Sequence, residues 1–479
     1  MKFKVKARDT LLFIVIVLSL LGVISALFPE EGVAFGKRRL YFPTIEDILT
    51  NESGSSASAL QRVKEIEESI RLQRYQDSIY ADSLTFYTQF FQESPSRIAL
   101  PGNNWDYFND LFKDFDTCEE RNEVIHILHY GDSQIESDRI TGYIRQQLQE
   151  KFGGSGPGLL PAVQPIPSIS VGQTASENIE RYIISGMHQN RAPHRRYGAL
   201  GQVGMMQGES FISVNARNLK NTYENVKEFQ EIRLFVGQPG KNFKAKLISG
   251  KASPKETVEG AAKSPVKVYS WNLETPVKKF SLHMSGSGEI YGIAVDGTSG
   301  IAMDNVPFRG SSGTFFDTMD STVLASMLEE LNTKLILLEF GGNTMPGIRN
   351  QKMIDIYRNK MSGQIAYLRR VCPEAKIILI GPADMSTKVN GKLRTYPYME
   401  EMVEALKGAA LENGAAFWNM YEVMGGKNSM IEWVKNSPAL AAPDYIHFTT
   451  KGAERIADLF YESLMVYYDY YRFVSGHKK

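Results

Sequence analysis

The sequence predicts an α/β protein: a doubly wound parallel sheet, split by an inserted β-sandwich domain and preceded by an N-terminal transmembrane helix. Three observations predict it. Nearly continuous apolar runs, Lys334-Leu-Ile-Leu-Leu-Glu-Phe340 and Lys376-Ile-Ile-Leu-Ile380, alternate with helical patterns, as strands covered on both faces do. From about Pro161 to Glu289 the pattern changes to short β-rich runs separated by turn residues. Ahead of both, the basic stretch Met1-Lys-Phe-Lys-Val-Lys-Ala-Arg8 is followed by an unbroken apolar run from Leu11 to Phe28.

At ~1.5 Å per residue that apolar run nearly spans a ~30 Å hydrocarbon core, with the positive flank on the cytoplasmic side. Residues 1–28 are therefore expected to anchor the protein in the inner membrane, with its catalytic part in the periplasm. The rival reading is a cleaved signal peptide and a secreted protein, for which Ser25-Ala26 offers a weak site. Residues 29–59 read as a turn-rich spacer ending in Asn51-Glu-Ser-Gly-Ser-Ser-Ala-Ser58. Residues 60–117 turn helical, with Leu60, Val63, Ile66 and Ile70 on one stripe. The heptad is not sustained, so packing on the main domain is favoured over a stalk.

Residues 118–165 open the main domain. In Val124-Ile-His-Ile-Leu-His-Tyr-Gly-Asp-Ser-Gln134 a strand leads into a tight turn at Gly131-Asp-Ser133, and Ile140, Ile144 and Leu148 mark the helix after it. Gly153-Gly-Ser-Gly-Pro-Gly158 stops that helix. Residues 166–289 form the inserted β-sandwich, with strands at Glu231 to Gly237, Phe243 to Ile248, Val266 to Tyr269 and Phe280 to Met284. Residues 290–479 resume the α/β pattern: a helix through Ile354, Ile365 and Leu368, another over 398–413, and a strand over 415–420.

At 479 residues the chain exceeds one ordinary core. Its 54 basic side chains balance 54 acidic ones, which argues against a nucleic-acid partner. Cys118 and Cys372 each precede a predicted strand and are expected as separate free thiols. His126 and His129, three apart in a strand, point to opposite faces and make a poor metal pair. No metal and no cofactor are expected.

Open parallel sheets bind ligands beyond the carboxyl ends of their strands. Ser133 lies at one such end, Gly341-Gly-Asn343 at another, and Asp444 and His447 lie in the loop before the last helix. Ser133 is expected at a helix amino end, where unpaired N–H groups and the dipole favour a developing anion; helix capping by Asp132 and Ser133 is the structural alternative. These parts suffice for acyl transfer. His447 takes the Ser133 proton, Asp444 holds the imidazole, and the Ser133 N–H, Gly310 and Asn343 form an oxyanion hole. Gly310 has a positive-φ turn as its alternative role. Trp433 and Tyr445 are weighed as sugar-subsite aromatics against plain packing.

On these blocks the chain resembles the SGNH, or GDSL-type, hydrolase family. Gly131-Asp-Ser133 resembles its first block, Arg309-Gly310-Ser-Ser its second, Gly341-Gly-Asn343 its third and Asp444-x-x-His447 its fifth, in the family's order. The family's first block usually continues with Leu where this chain has Gln134, and Thr344 stands where an Asp often follows. The insertion after the first block, with His129-Tyr-Gly-Asp-Ser-Gln134, Ile140-Thr-Gly142 and Phe152-Gly-Gly-Ser-Gly-Pro-Gly158, is similar to bacterial peptidoglycan O-acetylesterases. That resemblance implies an SGNH/flavodoxin-like core, a carbohydrate-binding-like insertion and metal-free removal of O-acetyl groups from a cell-wall or other extracytoplasmic glycan. Two alternatives stay open: a polysaccharide O-acetyltransferase using the same acyl-Ser133 intermediate, and a non-catalytic glycan-binding protein.

Overall fold

The structure, a computed structural model, describes residues 13–17, 19–23, 33–35, 38–40, 52–77, 83–186, 189–250, 255–259 and 264–476. Its central sheet has six strands: β1 (Ile98–Ala99), β2 (Val124–Gly131), β3 (Gly300–Pro307), β4 (Thr333–Glu339), β5 (Lys376–Ile380) and β6 (Ala416–Trp418). Their order is β3-β2-β4-β5-β6-β1. All neighbours are parallel except β1, which runs antiparallel to β6. Because β3 lies on one side of β2 and β4 on the other, the winding reverses between β2 and β4. Their carboxyl ends are the switch point where such sheets open a crevice.

Both sheet faces are covered, which is why the strands read as unbroken apolar runs. Ile127 and Leu337 point to one core, shared with α2 (Thr141–Phe152) and α6 (Thr450–Val474). Leu128 and Ile336 point to the other, shared with α3 (Ser321–Glu330), α4 (Gln351–Val371) and α5 (Met399–Glu412). Asp320, Asn350 and Thr449 cap α3, α4 and α6, each side chain accepting from first-turn N–H groups.

Helix α1 (Glu52–Asp77) packs on this body as its apolar stripe predicts. Val63, Ile66 and Ile70 are buried in the core that holds α6, and Arg455 clamps Glu67 through two bonds of 2.6 and 2.8 Å. Residues 52–58, expected in the spacer, are already helical: Ala and Ser tolerate a helix that a stronger segment downstream propagates. Within the rest of the expected spacer, Val33–Phe35 and Arg38–Leu40 pair as a short antiparallel hairpin. The expected membrane span is described only over 13–17 and 19–23, both helical, and among the described residues no helix is long and apolar enough to cross a membrane. Cys118 and Cys372 are buried and free.

Between β2 and β3 the chain builds two antiparallel sheets, of seven and four strands. Ile212, Val214 and Leu282 of the smaller meet Ile232, Leu234 and Val236 of the larger in a separate core, so the two form a sandwich. Alternation sends Phe235 and Tyr291 to the opposite face of the larger sheet, where they pack with Leu324 and Met327 of α3. The larger sheet also includes Gly158–Leu160, and its strand Ser287–Asp296 runs across the boundary expected at 289/290.

Candidate active site

The carboxyl ends of β2 and β4 open into a cleft of about 630 Å³ that includes Ser133, Gly310, Asn343 and His447 in its lining. Ser133 Oγ is 2.8 Å from His447 Nε2, and His447 Nδ1 is 2.7 Å from Asp444 Oδ2. The other oxygen of Asp444 accepts the backbone N–H groups of Ile446 and His447, both at 3.0 Å. Partial burial pushes the Asp444 carboxyl up, but these bonds outweigh it and hold the pKa below the usual carboxylate range. A carboxylate that stays ionised fixes the proton on Nδ1, which leaves Nε2 with a lone pair facing the serine hydroxyl.

The oxyanion donors divide. Among the described residues neither the Ser133 N–H nor the Gly310 N–H has an acceptor, and both residues line the cleft. Gly310 has φ +73°, and a Cβ there would meet nothing within 4 Å, so backbone conformation rather than space calls for glycine. Asn343 differs from expectation. Its Nδ2 donates to Asp132 Oδ2 at 2.7 Å and to the Ser311 carbonyl at 3.2 Å, so serving an oxyanion requires giving up one bond, the longer being the cheaper. Burial pushes the Asp132 carboxyl up to about 7, against the Gln134 N–H it accepts and with the nearby Glu339 adding to the rise.

One further expectation is corrected. Ser133 does not sit at a helix amino end: a turn and the short 3-10 segment Glu136–Asp138 intervene, and α2 starts only at Thr141. The helix dipole therefore contributes little at Ser133, because its effect fades within one turn. Gly131 is the last residue of β2, where a Cβ would lie 3.0 Å from the Ile135 side chain, so the sharp turn expected there depends on its absence. Trp433 is fully buried, donating to the Met424 carbonyl at 3.0 Å, and so is a packing residue.

Sequence reasoning missed the groups that join the nucleophile loop to the histidine loop. Gln134 donates to the Ile446 carbonyl at 2.7 Å and accepts from the Phe448 N–H at 3.3 Å. Arg139 donates to the carbonyls of Ser133 and Phe448 at 2.8 and 2.9 Å. Gln134, the departure from the family's leucine, was the available signal: an amide there serves both sides of His447. At the cleft mouth Arg309 pairs with Glu136, its Nε and Nη2 donating to the two carboxylate oxygens.

Comparison with solved structures gives the same architecture. The chain superposes on a peptidoglycan O-acetylesterase with a TM-score of 0.59 at 18% identity, over 75% of this chain and 95% of that one. Lesser overlaps are an acetyl xylan esterase (14% identity, 34% and 81% covered, TM-score 0.27) and Est24, a carbohydrate acetylesterase from Sinorhizobium meliloti (14%, 34% and 78%, TM-score 0.25). No protein-family model and no curated protein sequence matches the chain. The fold is that of this peptidoglycan O-acetylesterase.

Proposed function

We propose that the protein is a serine carbohydrate esterase that removes O-acetyl groups from a cell-wall or other extracytoplasmic polysaccharide. The observation that carries this is the Ser133–His447–Asp444 relay, at 2.8 and 2.7 Å, facing a cleft with two free backbone donors. His447 Nε2 accepts the hydroxyl proton as Ser133 Oγ attacks the acetyl carbonyl, and the tetrahedral oxyanion draws on the N–H groups of Ser133 and Gly310. Asn343 joins them once it releases Ser311. The imidazolium returns the proton to the sugar oxygen, which leaves as an alcohol, and water repeats the sequence on the acyl-Ser133. The His447 and Asp444 side chains are 35% and 46% exposed, so water reaches the acyl group and hydrolysis is favoured over transfer to an acceptor sugar.

The basic flank and the apolar run from Leu11 to Phe28 support a placement at the inner membrane with the cleft in the periplasm. The test is acetate release from O-acetylated peptidoglycan, with acetylated xylan beside it and Ser133→Ala as control. Free acetate from the wild type alone is the expected result. Acetyl groups appearing on an added acceptor sugar point to transferase chemistry, and no release from either polymer overturns the esterase reading.

A further inference from the structure

A second cleft, of about 700 Å³, adjoins the first and shares Ser137, Arg309 and Gly310 with it. Its volume falls within the ~300–1,000 Å³ of ordinary ligand sites. One wall is the inserted sheet, where Arg181 and Gln202 stand on the paired strands Ile179–Ile183 and Gln202–Gln207. The other is the loop after β3, so a polymer with one acetyl group at Ser133 can continue into this space.

The charges here are unequally cancelled. Three arginines line the cleft. Arg145 is held by both oxygens of Asp138, at 2.6 and 3.0 Å, and Arg309 is held by Glu136. Arg181 has no carboxylate among the described residues. Its Nε donates to Gln202 Oε1 at 2.9 Å and its Nη1 to Gln189 Oε1 at 3.2 Å. Those neutral amides aim the guanidinium without neutralising it. A guanidinium has five N–H donors and keeps its charge even half-buried, so the Nη2 edge is left for an anion with planar oxygens.

We infer that this cleft is a subsite for a carboxylate-bearing stretch of the glycan, with Arg181 as the group that recognises the acid. The inference rests on the esterase reading for the identity of the chain that enters, not for the binding itself. A lactyl ether on the sugar and a uronic acid would present the same carboxylate.

Titration calorimetry on the full chain carrying Ser133→Ala, so that nothing is turned over, separates these cases. The probes are an alternating N-acetylglucosamine–N-acetylmuramic acid tetrasaccharide, tetragalacturonate and chitotetraose. At least one acidic probe is expected to bind about tenfold or more tightly than chitotetraose. Binding by one acid alone names the source, and binding by both names only the carboxylate. Adding Arg181→Ala, or Gln202→Glu to neutralise the guanidinium in place, is expected to erase the preference while leaving chitotetraose affinity unchanged. Both variants should keep the parent's thermal unfolding midpoint and far-UV circular dichroism, which reports an intact fold. Equal affinity for all three probes, or a preference that survives both substitutions, overturns the subsite. A wild type that hydrolyses no acetyl ester but shows Arg181-dependent binding overturns the esterase reading and leaves the subsite standing.

Discussion

Two histidines in this molecule are wired alike and face different third partners. At the rim of the sheet, His447 faces Asp444 through Nδ1 and Ser133 through Nε2. Midway along β2, His126 faces Asp304 through Nδ1 at 2.9 Å and Arg233 through Nε2 at 2.8 Å, with Asp296 close by at 3.4 Å. Burial disfavours the charged His126 ring, while Asp304 and Asp296 favour it. The Arg233 nitrogen opposes them: at 2.8 Å it requires a lone pair on Nε2, so the contact favours the neutral ring. Both imidazoles then carry their proton on Nδ1. The third partner decides the outcome, because a hydroxyl in an open cleft can give up its proton to make a nucleophile, whereas a guanidinium sealed between two sheets cannot. An acid–imidazole pair is thus a catalytic part only by virtue of what stands on its far side.

The largest effect should come from the rim. Ser133→Ala and His447→Ala are each expected to lower p-nitrophenyl acetate turnover by about 10⁴-fold or more, and the double variant to be no worse than either. Wild-type rates in both single variants would remove the distinction between the two histidines. His126→Ala should do the reverse, leaving Arg233 and Asp304 buried without their partner: a stability loss of about 3–5 kcal/mol in urea unfolding, with turnover per folded molecule unchanged. A rate loss at unchanged stability would break the comparison.

Asp384 extends the comparison to a buried acid with no imidazole at all. It accepts from Met430 N–H and Thr395 hydroxyl, both at 2.8 Å, and burial pushes its pKa up to about 7 against those bonds. The folded value lies above the unfolded one, so its contribution is full below about pH 4 and lost as pH climbs through 7. That loss is on the order of 2–4 kcal/mol. Asp384→Asn should flatten the fall in stability between pH 4 and 8; an unchanged slope would assign it elsewhere. The smallest effect is expected from Gln134→Leu, which removes both bonds to the histidine loop. It should lower kcat about tenfold with little change in KM, and a fall in KM-dependent binding alone would make Gln134 a substrate contact instead.

The core strands were legible because burial on both faces writes itself as unbroken aliphatic sequence; three of the candidate-site blocks were placed at strand ends and the fourth, with Asp444 and His447, in the loop before α6. What lay hidden was set by partners distant in the chain. Nothing in Val124-Ile-His-Ile-Leu-His announces that His126 meets an arginine from the insertion, since a strand's neighbours across a sheet leave no periodic trace. The same holds for Arg139, which reads as one more helix-proximal charge until the loop carrying Phe448 is brought beside it. The helix start at Ser133 was misplaced for a local reason: Ser, Asp and Glu after the strand suit a cap, but here they close a turn and a 3-10 segment first.

The larger inserted sheet buries one face in its own sandwich and the other against α3, with Arg233 also bonded to the Glu330 carbonyl at 2.9 Å. An insertion gripped in this way cannot swing like a tethered accessory module. Heating should melt it and the α/β body in one calorimetric transition, and the gap between the two clefts is a fixed gauge rather than a hinge.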